Sequence, residues 1–423
     1  MRCERLENGI WFATEYLPHV RSASLGVYLD TGSRDEIPDQ GGLSHFFEHM
    51  TFKGTETMAP LDIVRRFEET GGQVNAYTSK EQTCFYAKVV DTEAAGCLDV
   101  LLDMVFGAKF DLSDVEKEKE VILEEIRGAQ DDPEDLAYDL YAEACFGNHS
   151  LGRPIAGTEK TLRGLTRGHL LQHREAASGR IPVAIVAVGR VDHSDLAARV
   201  RRHFRLRSGK KQSSFIRKPL VRPAGKFVGG HTQRNREVKQ ATVVLGGSGV
   251  PWKSSLRYPL LLMHCALGDG MSSRLFQNLR EKHGLVYSIF SNPEFLSSEG
   301  LFTIGFGTEP KNLPKAMKEI KRELSLMRLR GLSGEELDSA KKNVTGSILL
   351  SLESTHSRMS SLARRYLGGD PEETLNEVLR KVNAVTKQDV LKAAKTVLGF
   401  EKWATASVLP KGIKADISRM LSD

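Results

Sequence analysis

Two halves of the chain present the same order of strand-like and helix-like segments, and this repeat limits the possible folds more than any other feature. Each half opens with a segment that alternates apolar and polar residues, Ser22–Leu29 and Gln240–Gly246, as half-buried strands do. In each half a helical segment then runs through glycine into another strand, at Arg65–Tyr77 and Asn278–Ser288. We predict an α+β fold of two duplicated domains, each a mainly antiparallel sheet with helices packed on one face.

The composition changes once, near the middle of the chain. Residues 207–235 are rich in Ser, Gly, Lys and Arg and have little periodicity, which is typical of an inter-domain linker. An N-terminal domain is therefore expected at residues 1–206 and a C-terminal domain at residues 236–423. The basic run Arg199–Lys211 is expected to be a solvated helix end that leads into this linker.

The overall composition is that of an ordinary globular protein. Of the 423 residues, 40% are apolar and 27% are charged, which excludes disordered and collagen-like chains. No apolar stretch reaches the roughly 18 residues of a membrane span, and the net charge of +6 is too diffuse for a nucleic-acid footprint. We therefore expect neither a membrane nor a nucleic acid as a partner. Five scattered cysteines without a C-x-x-C pair, and an N-terminus that resembles no leader, favour the cytoplasm.

The segment Gly41–Phe52 carries the most chemical information. His45 and His49 are four residues apart with Glu48 between them, so a helix places all three on one face. Two imidazoles at this spacing can hold one zinc ion, with a carboxylate beside them that can accept a proton from water. The remainder of the segment is mostly apolar, so the helix is expected to be buried. Burying two histidines and a glutamate costs free energy unless these side chains have binding partners. The alternative is two core histidines beside an unrelated carboxylate.

A second pair of histidines provides an internal comparison. His169 and His173 have the same spacing, but Gln172 stands where the base would be. The surrounding sequence is that of an ordinary helix, so we expect this pair to be structural.

A catalytic zinc ion needs a third protein ligand. The predicted helix Asp114–Ile126 has a seam of four positions on one side: Val115, Glu118, Ile122 and Glu125. The apolar members should face the core, which turns the two glutamates inward as well. Because a buried carboxylate is costly unless it meets a cation or a proton donor, Glu118 and Glu125 are candidates for a zinc ligand and its supporting carboxylate.

The H-x-x-E-H segment followed by a distant glutamate resembles the inverzincin metallopeptidases, which include pitrilysin, insulin-degrading enzyme and the mitochondrial processing peptidase. The resemblance covers nearly the whole chain, and it is closest to the short bacterial, processing-peptidase-like members. It implies that His45, His49 and Glu125 bind one Zn²⁺ per chain. It further implies Glu48 as the catalytic general base and Glu118 as a supporting catalytic residue.

The same resemblance implies substrate contacts. Gly71–Ser79 is similar to the family strand on whose edge the peptide lies, with Asn75 and Ala76 beside the substrate backbone. Without the family, a helix stop and a turn residue would be an equally good interpretation of this segment. Arg280 and Tyr287 match the family pair that holds the substrate carbonyl, although alone they would be a helix arginine and a strand aromatic.

We predict a zinc metalloendopeptidase that cleaves peptides or small unfolded proteins within a closed dimeric chamber, with Glu48 activating the attacking water. The C-terminal half offers only His264 near the equivalent position, without a partner carboxylate, and is expected to be an inactive homologous domain. The resemblance implies a homodimer in which Arg280 and Tyr287 of one subunit serve the other. The alternative is a catalytically silent peptide-binding or scaffold subunit of a processing-peptidase-like complex.

Overall fold

The computed structural model describes residues 1–6, 9–208, 220–370 and 373–422, which form two compact units. Unit 1 contains the described residues of Met1–Ile126, Pro154–Val221 and Leu350–Glu372. Unit 2 contains those of Arg127–Arg153, Arg222–Leu349 and Glu373–Asp423. Each unit therefore takes segments from both halves of the sequence. Residues 209–219 of the predicted linker lie outside the described part of the chain.

The described residues contain eleven strands and fifteen α-helices. The strands are β1 (Arg2–Arg5), β2 (Trp11–Tyr16), β3 (Ser22–Leu29), β4 (Gln73–Thr78), β5 (Thr83–Val90), β6 (Val183–Gly189), β7 (His231–Arg236), β8 (Ala241–Ser248), β9 (Ser288–Phe295), β10 (Gly300–Thr308) and β11 (Ala404–Pro410). The helices are α1 (Leu43–Thr51), α2 (Pro60–Glu68), α3 (Ala94–Gly107), α4 (Leu112–Asp131), α5 (Pro133–Phe146), α6 (Glu159–Gly164), α7 (Arg167–Gly179), α8 (His193–Ser208), α9 (Arg257–Gly268), α10 (Leu313–Arg330), α11 (Gly334–Ser351), α12 (Thr355–Leu367), α13 (Leu375–Ala384), α14 (Lys387–Val397) and α15 (Ile417–Ser422).

The two sheets share one topology. The sheet of unit 1 has the order β1-β2-β6-β3-β5-β4, and that of unit 2 the order β7-β11-β8-β10-β9. In both sheets one pair is parallel, β2 with β6 and β7 with β11, and the other neighbours are antiparallel. Apart from β1, the strands of unit 2 repeat those of unit 1 in order and direction. The predicted α+β class and its duplication are confirmed.

Most helices pack on one face of each sheet, as predicted. In unit 1, buried residues of α1, α3 and α8 share a core with Leu25 and Ile185 of the sheet. In unit 2, residues of α9, α10 and α14 share a core with Val243 and Phe302.

One further helix covers the opposite face of each sheet. In unit 1, Met359 and Leu362 of α12 pack on Val186, and in unit 2, α5 packs on the sheet through residues such as Leu140. The physical reason is that the central strands are apolar on both sides: all seven residues of β6 are buried. Such strands need cover on both faces. Among the described residues, no helix is long and apolar enough to cross a membrane.

Candidate active site

The helix that carries the H-x-x-E-H segment is fixed at its start by a carboxylate and a glycine. Glu36 accepts hydrogen bonds from the backbone N–H of Gly42 at 2.7 Å and of Ser44 at 2.6 Å, which satisfies donors that a helix start leaves unpaired. Gly42 adopts φ 93°, the left-handed region. Helix α1 then buries Phe46, Phe47 and other apolar side chains in the core of unit 1. Its remaining face presents the polar residues of the motif.

The structure brings His45, His49 and Glu125 together. Nε2 of His45 lies 3.8 Å from Oε2 of Glu125, and Nε2 of His49 lies 3.5 Å from the same oxygen. One ligand atom from each residue lies within 4.8 Å of the other two, and no other group of three or more His, Cys, Asp and Glu ligands of this kind is found in the described residues. Zinc bonds of about 2.0–2.1 Å in a tetrahedron separate neighbouring ligand atoms by about 3.4 Å. The donor set and its spacing therefore fit a zinc ion.

The two histidines differ in their surroundings. Burial, together with the neighbouring His49, lowers the pKa of His45 to about 4, and its Nδ1 is buried without a hydrogen-bond partner. Nδ1 of His49 lies 2.9 Å from Oε1 of Glu118. Burial opposes protonation of His49, but the bond to Glu118 and the charges of nearby carboxylates outweigh it and raise the pKa of His49. With a proton on Nδ1, His49 presents the lone pair of Nε2 toward Glu125.

Glu118 is a buried carboxylate with two donors. Its side chain is 7% exposed, and besides His49 it pairs with Nζ of Lys53 at 2.6 Å. Burial by itself would raise the pKa of Glu118, but the hydrogen bonds from His49 and Lys53 hold it below its ordinary value. The seam on α4 thus places Glu118 behind His49 and Glu125 in front of both histidines.

Glu48 lies between the histidines and the edge of the sheet. The hydroxyl of Thr78 in β4 donates a hydrogen bond to Oε2 of Glu48. Burial raises the pKa of Glu48, and the bond from Thr78 partly opposes this. This carboxylate therefore links α1 to β4.

β4 is the last strand of its sheet and, within the part of the chain that the structure describes, pairs with β5 alone. Asn75 and Tyr77 are exposed, whereas Ala76 packs toward the core. Oδ1 of Asn75 accepts a hydrogen bond from the backbone N–H of Ala76 at 2.8 Å. A groove of about 530 Å³ runs beside the strand and is lined by residues such as Phe52, Val74 and Asn75. An unpaired edge of this kind can accept an extended peptide.

The predicted Arg/Tyr pair lies in unit 2. Arg280 belongs to a π-helical segment, Phe276–Lys282, and Tyr287 precedes β9. The guanidinium carbon of Arg280 lies 5.8 Å from the centre of the Tyr287 ring and 4.8 Å from that of Phe276. Tyr287 is 71% exposed, so this pair offers a cation and a phenol at the surface of unit 2.

The equivalent helix of unit 2 has other chemistry. His264 of α9 has Nδ1 at 2.8 Å from Oγ of Ser291 and Nε2 at 3.9 Å from a carboxylate oxygen of Asp269. Burial lowers the pKa of His264. One imidazole and one carboxylate do not make the ligand set of a catalytic zinc site.

Three residues at this site were not predicted from the sequence: Glu36, Lys53 and Thr78. Lys53 stands four residues after His49, and this spacing was a usable signal because it is a neighbour position on a helix. The other two reach α1 from separate segments, and no local pattern indicates them.

Comparisons with known proteins show the family to which this chain belongs. Residues 11–159 match the family model "Insulinase (Peptidase family M16)", and residues 165–344 match the model "Peptidase M16 inactive domain". The chain is 38% identical over 409 residues to the uncharacterized zinc protease YmxG of Bacillus subtilis, with 96% of this chain and 97% of that protein covered. The chain belongs to peptidase family M16.

A second relative and a solved structure are also similar to this chain over nearly its whole length. An uncharacterized zinc protease of Streptomyces coelicolor is 35% identical over 407 residues, which cover 94% of this chain and 87% of that protein. The crystal structure of a protease from Helicobacter pylori superposes with a TM-score of 0.87 at 20% identity, covering 97% of this chain and 99% of that chain. The latter similarity shows that this M16 chain has the same fold.

Proposed function

We propose that this M16 chain is a zinc-dependent endopeptidase that cleaves peptides or small unfolded proteins. The observation that carries the proposal is the approach of one Glu125 oxygen to Nε2 of both histidines, at 3.8 and 3.5 Å, with Glu48 on the same helix. His45, His49 and Glu125 would hold one Zn²⁺. The similar bacterial proteins are named as zinc proteases, and these names support the same function.

Bound zinc supplies Lewis acidity, which lowers the pKa of water and polarises the scissile carbonyl. Glu48 accepts the proton of the attacking water and passes it to the leaving amine. Thr78 holds one oxygen of Glu48, so the proton goes to the other. Glu118 holds the Nδ1 proton of His49 and thereby orients that ring, as carboxylates behind ligand histidines do.

The substrate class follows from the edge of the sheet. An extended peptide can pair with β4 through its backbone alone, which accepts many sequences but excludes folded segments. We propose that Asn75 and Ala76 lie beside the peptide backbone. The substrate is therefore an unfolded or extended chain, and its backbone is the main feature recognised.

We further propose a cytoplasmic homodimer that encloses a chamber, in which Arg280 and Tyr287 of one subunit hold the substrate carbonyl at the zinc site of the other. Neither a nucleic acid nor a membrane is part of this proposal. The dimer rests on the family resemblance. The exposure of Tyr287, 71%, agrees with a side chain that meets something outside its own unit.

Cleavage of a quenched, unstructured peptide of about 15–25 residues tests the activity. Wild type should cleave it, a chelator should stop cleavage, and Zn²⁺ should restore it. Glu48→Gln should lower kcat by about 10²–10⁴-fold, the usual contribution of a general base. Glu124→Gln, which changes an exposed glutamate of α4, is the matched control and should retain activity. No cleavage by zinc-loaded wild type would favour the silent scaffold subunit.

Mixed dimers test the shared site. Glu48→Gln and Arg280→Ala are each expected to be inactive as homodimers. In a mixed dimer, the Arg280→Ala subunit keeps Glu48 and receives Arg280 from the other subunit, so one site of two should recover. Absence of recovery would mean that Arg280 serves its own subunit, and an active Arg280→Ala homodimer would mean that it serves neither.

A further inference from the structure

Lys53 stands directly beyond the end of α1 and contacts the carboxylate that holds a proposed zinc ligand. Its Nζ lies 2.6 Å from Oε2 of Glu118, while Oε1 of Glu118 lies 2.9 Å from Nδ1 of His49. The two oxygens of one buried carboxylate are thus divided between a lysine and a histidine. Any rotation of the carboxylate that loosens one contact changes the other.

The backbone around Lys53 is held by the segment after α3. The N–H of Lys53 donates to the carbonyl of Met50 at 3.2 Å, and the carbonyl of Gly54 accepts from the N–H of Lys109 at 3.2 Å. Thr55 forms an isolated antiparallel bridge with Ala108. The Cα of Lys53 is therefore fixed, and its ammonium group reaches Glu118 from an anchored loop.

The contact differs from an ordinary surface ion pair. An exposed pair is worth little, because water already solvates both charges. Glu118 is 7% exposed in its side chain, and a buried carboxylate is costly unless full charge compensates it. Lys53 supplies a full positive charge at 2.6 Å from this carboxylate.

We propose that Lys53 is a positioning residue of the zinc site: it holds Oε2 of Glu118 so that Oε1 stays on the Nδ1 proton of His49 and Nε2 of His49 stays aimed at the metal. The inference rests on the proposed function, because it assumes that His49 binds zinc. In this proposal Lys53 acts through Glu118 and is neither a zinc ligand nor a substrate-binding residue.

The direct test is the zinc affinity of Lys53→Met, measured by competition with a chromophoric chelator. Methionine keeps an unbranched apolar stem and removes the charge. We expect zinc binding about tenfold weaker, at the low end of the 10–100-fold effect of residues behind metal ligands. Lys53→Arg keeps the charge and the donors, and should stay within about threefold of wild type.

Lys109→Met is the matched control. Lys109 pairs with Asp111 at 2.6 Å and is 33% exposed in its side chain, against 35% for Lys53. Lys109 lies on the loop that faces Lys53 but does not contact Glu118. The zinc affinity of Lys109→Met should therefore equal that of wild type. If Lys53→Met and Lys109→Met bind zinc equally well, the positioning role is wrong.

A double-mutant cycle shows whether the effect passes through Glu118. In a Glu118→Gln background, Lys53→Met should weaken zinc binding no further, because residues that act through one another are not additive. An equal loss in both backgrounds would overturn the proposal. Thermal unfolding in the presence of a chelator shows whether Lys53→Met folds. If it does not fold, Lys53→Gln replaces it in the same measurements.

The peptidase assay separates this inference from the proposed function. Loss of zinc-ligand orientation should lower kcat of zinc-saturated Lys53→Met and leave KM unchanged, since the substrate strand is untouched. A wild type that binds no zinc would overturn the proposed function itself. A wild type that binds zinc, beside a Lys53→Met variant with the same affinity and kcat, would overturn only the role of Lys53.

Discussion

Thr78 on the edge strand β4 donates a hydrogen bond to Oε2 of Glu48 on α1. The bond links the proposed general base to the strand on which the substrate is proposed to lie. A peptide paired with β4 would therefore have a fixed position relative to the carboxylate. Such fixed geometry contributes to catalysis because the reacting groups have already lost their translational and rotational freedom when the substrate binds.

Thr78→Val should lower kcat by about tenfold, because the side chain keeps its shape but no longer holds Glu48. A hydrogen bond to a charged group is worth about 1.5–3 kcal/mol, and about 1.4 kcal/mol corresponds to a factor of ten. Thr78→Ser retains the hydroxyl and should retain most of the activity. Zinc affinity should be unchanged in both variants, and full kcat in Thr78→Val would show that the bond does not position the base.

The residues of the candidate metal site were predictable because they follow local periodicity. His45, Glu48 and His49 share a helix face through their spacing, and Glu118 and Glu125 lie on the apolar seam of α4. In contrast, Thr78 meets Glu48 only because β4 becomes the edge of the sheet. Which strand lies at an edge depends on pairing between distant segments, so the edge position of β4 was implied by the family resemblance and by no local pattern.

The placement of α5 and α12 shows the same limit for the fold. Both are ordinary helices in sequence, yet α5 packs on the sheet of unit 2 and α12 on the sheet of unit 1. A continuous apolar run such as that of β6 is typical of a strand that is buried on both faces. It did not indicate which helix covers the second face, because several helices have a suitable apolar side.

Glu36→Gln should lower the free energy of unfolding by about 1–2 kcal/mol. The carboxylate accepts from two N–H groups at the start of α1, at 2.7 and 2.6 Å, and a helix cap contributes about 0.5–2 kcal/mol. An amide keeps one acceptor oxygen but loses the charge that favours a helix N-terminus. Urea unfolding measures the difference. Glu56→Gln, at an exposed position, should stay within about 0.5 kcal/mol of wild type, and an equal effect of both changes would contradict the capping role.

Gly42→Ala should destabilise the protein by more than about 2 kcal/mol. Gly42 has φ 93°, which costs an L-residue about 1–2 kcal/mol, and a Cβ there would collide with the backbone carbonyl of Ala156. Gly164→Ala is the control, because a Cβ at that exposed position of α6 meets nothing within 4 Å. It should be neutral or stabilising by up to about 1 kcal/mol. The prediction fails if thermal unfolding shows the same midpoint for both variants.

The free energy of unfolding should fall as the pH decreases below about 6.5, because His173 is buried in the folded protein. Its ring lies 4.7 Å from that of Phe47, its Nε2 is shielded from solvent without a hydrogen-bond partner, and burial lowers its pKa from 6.5 to about 4. Between these values the unfolded chain binds a proton that the folded protein does not, so acid favours unfolding. The full difference is at most about 3 kcal/mol, at 1.36 kcal/mol per pKa unit.

His173→Leu removes this titration and keeps an apolar side chain against Phe47. The free energy of unfolding, measured in urea from about pH 7 to about pH 4.5, should therefore fall less steeply with acid in the variant than in wild type. Parallel profiles for His173→Leu and wild type would show that His173 is protonated in the folded protein as readily as in the unfolded chain.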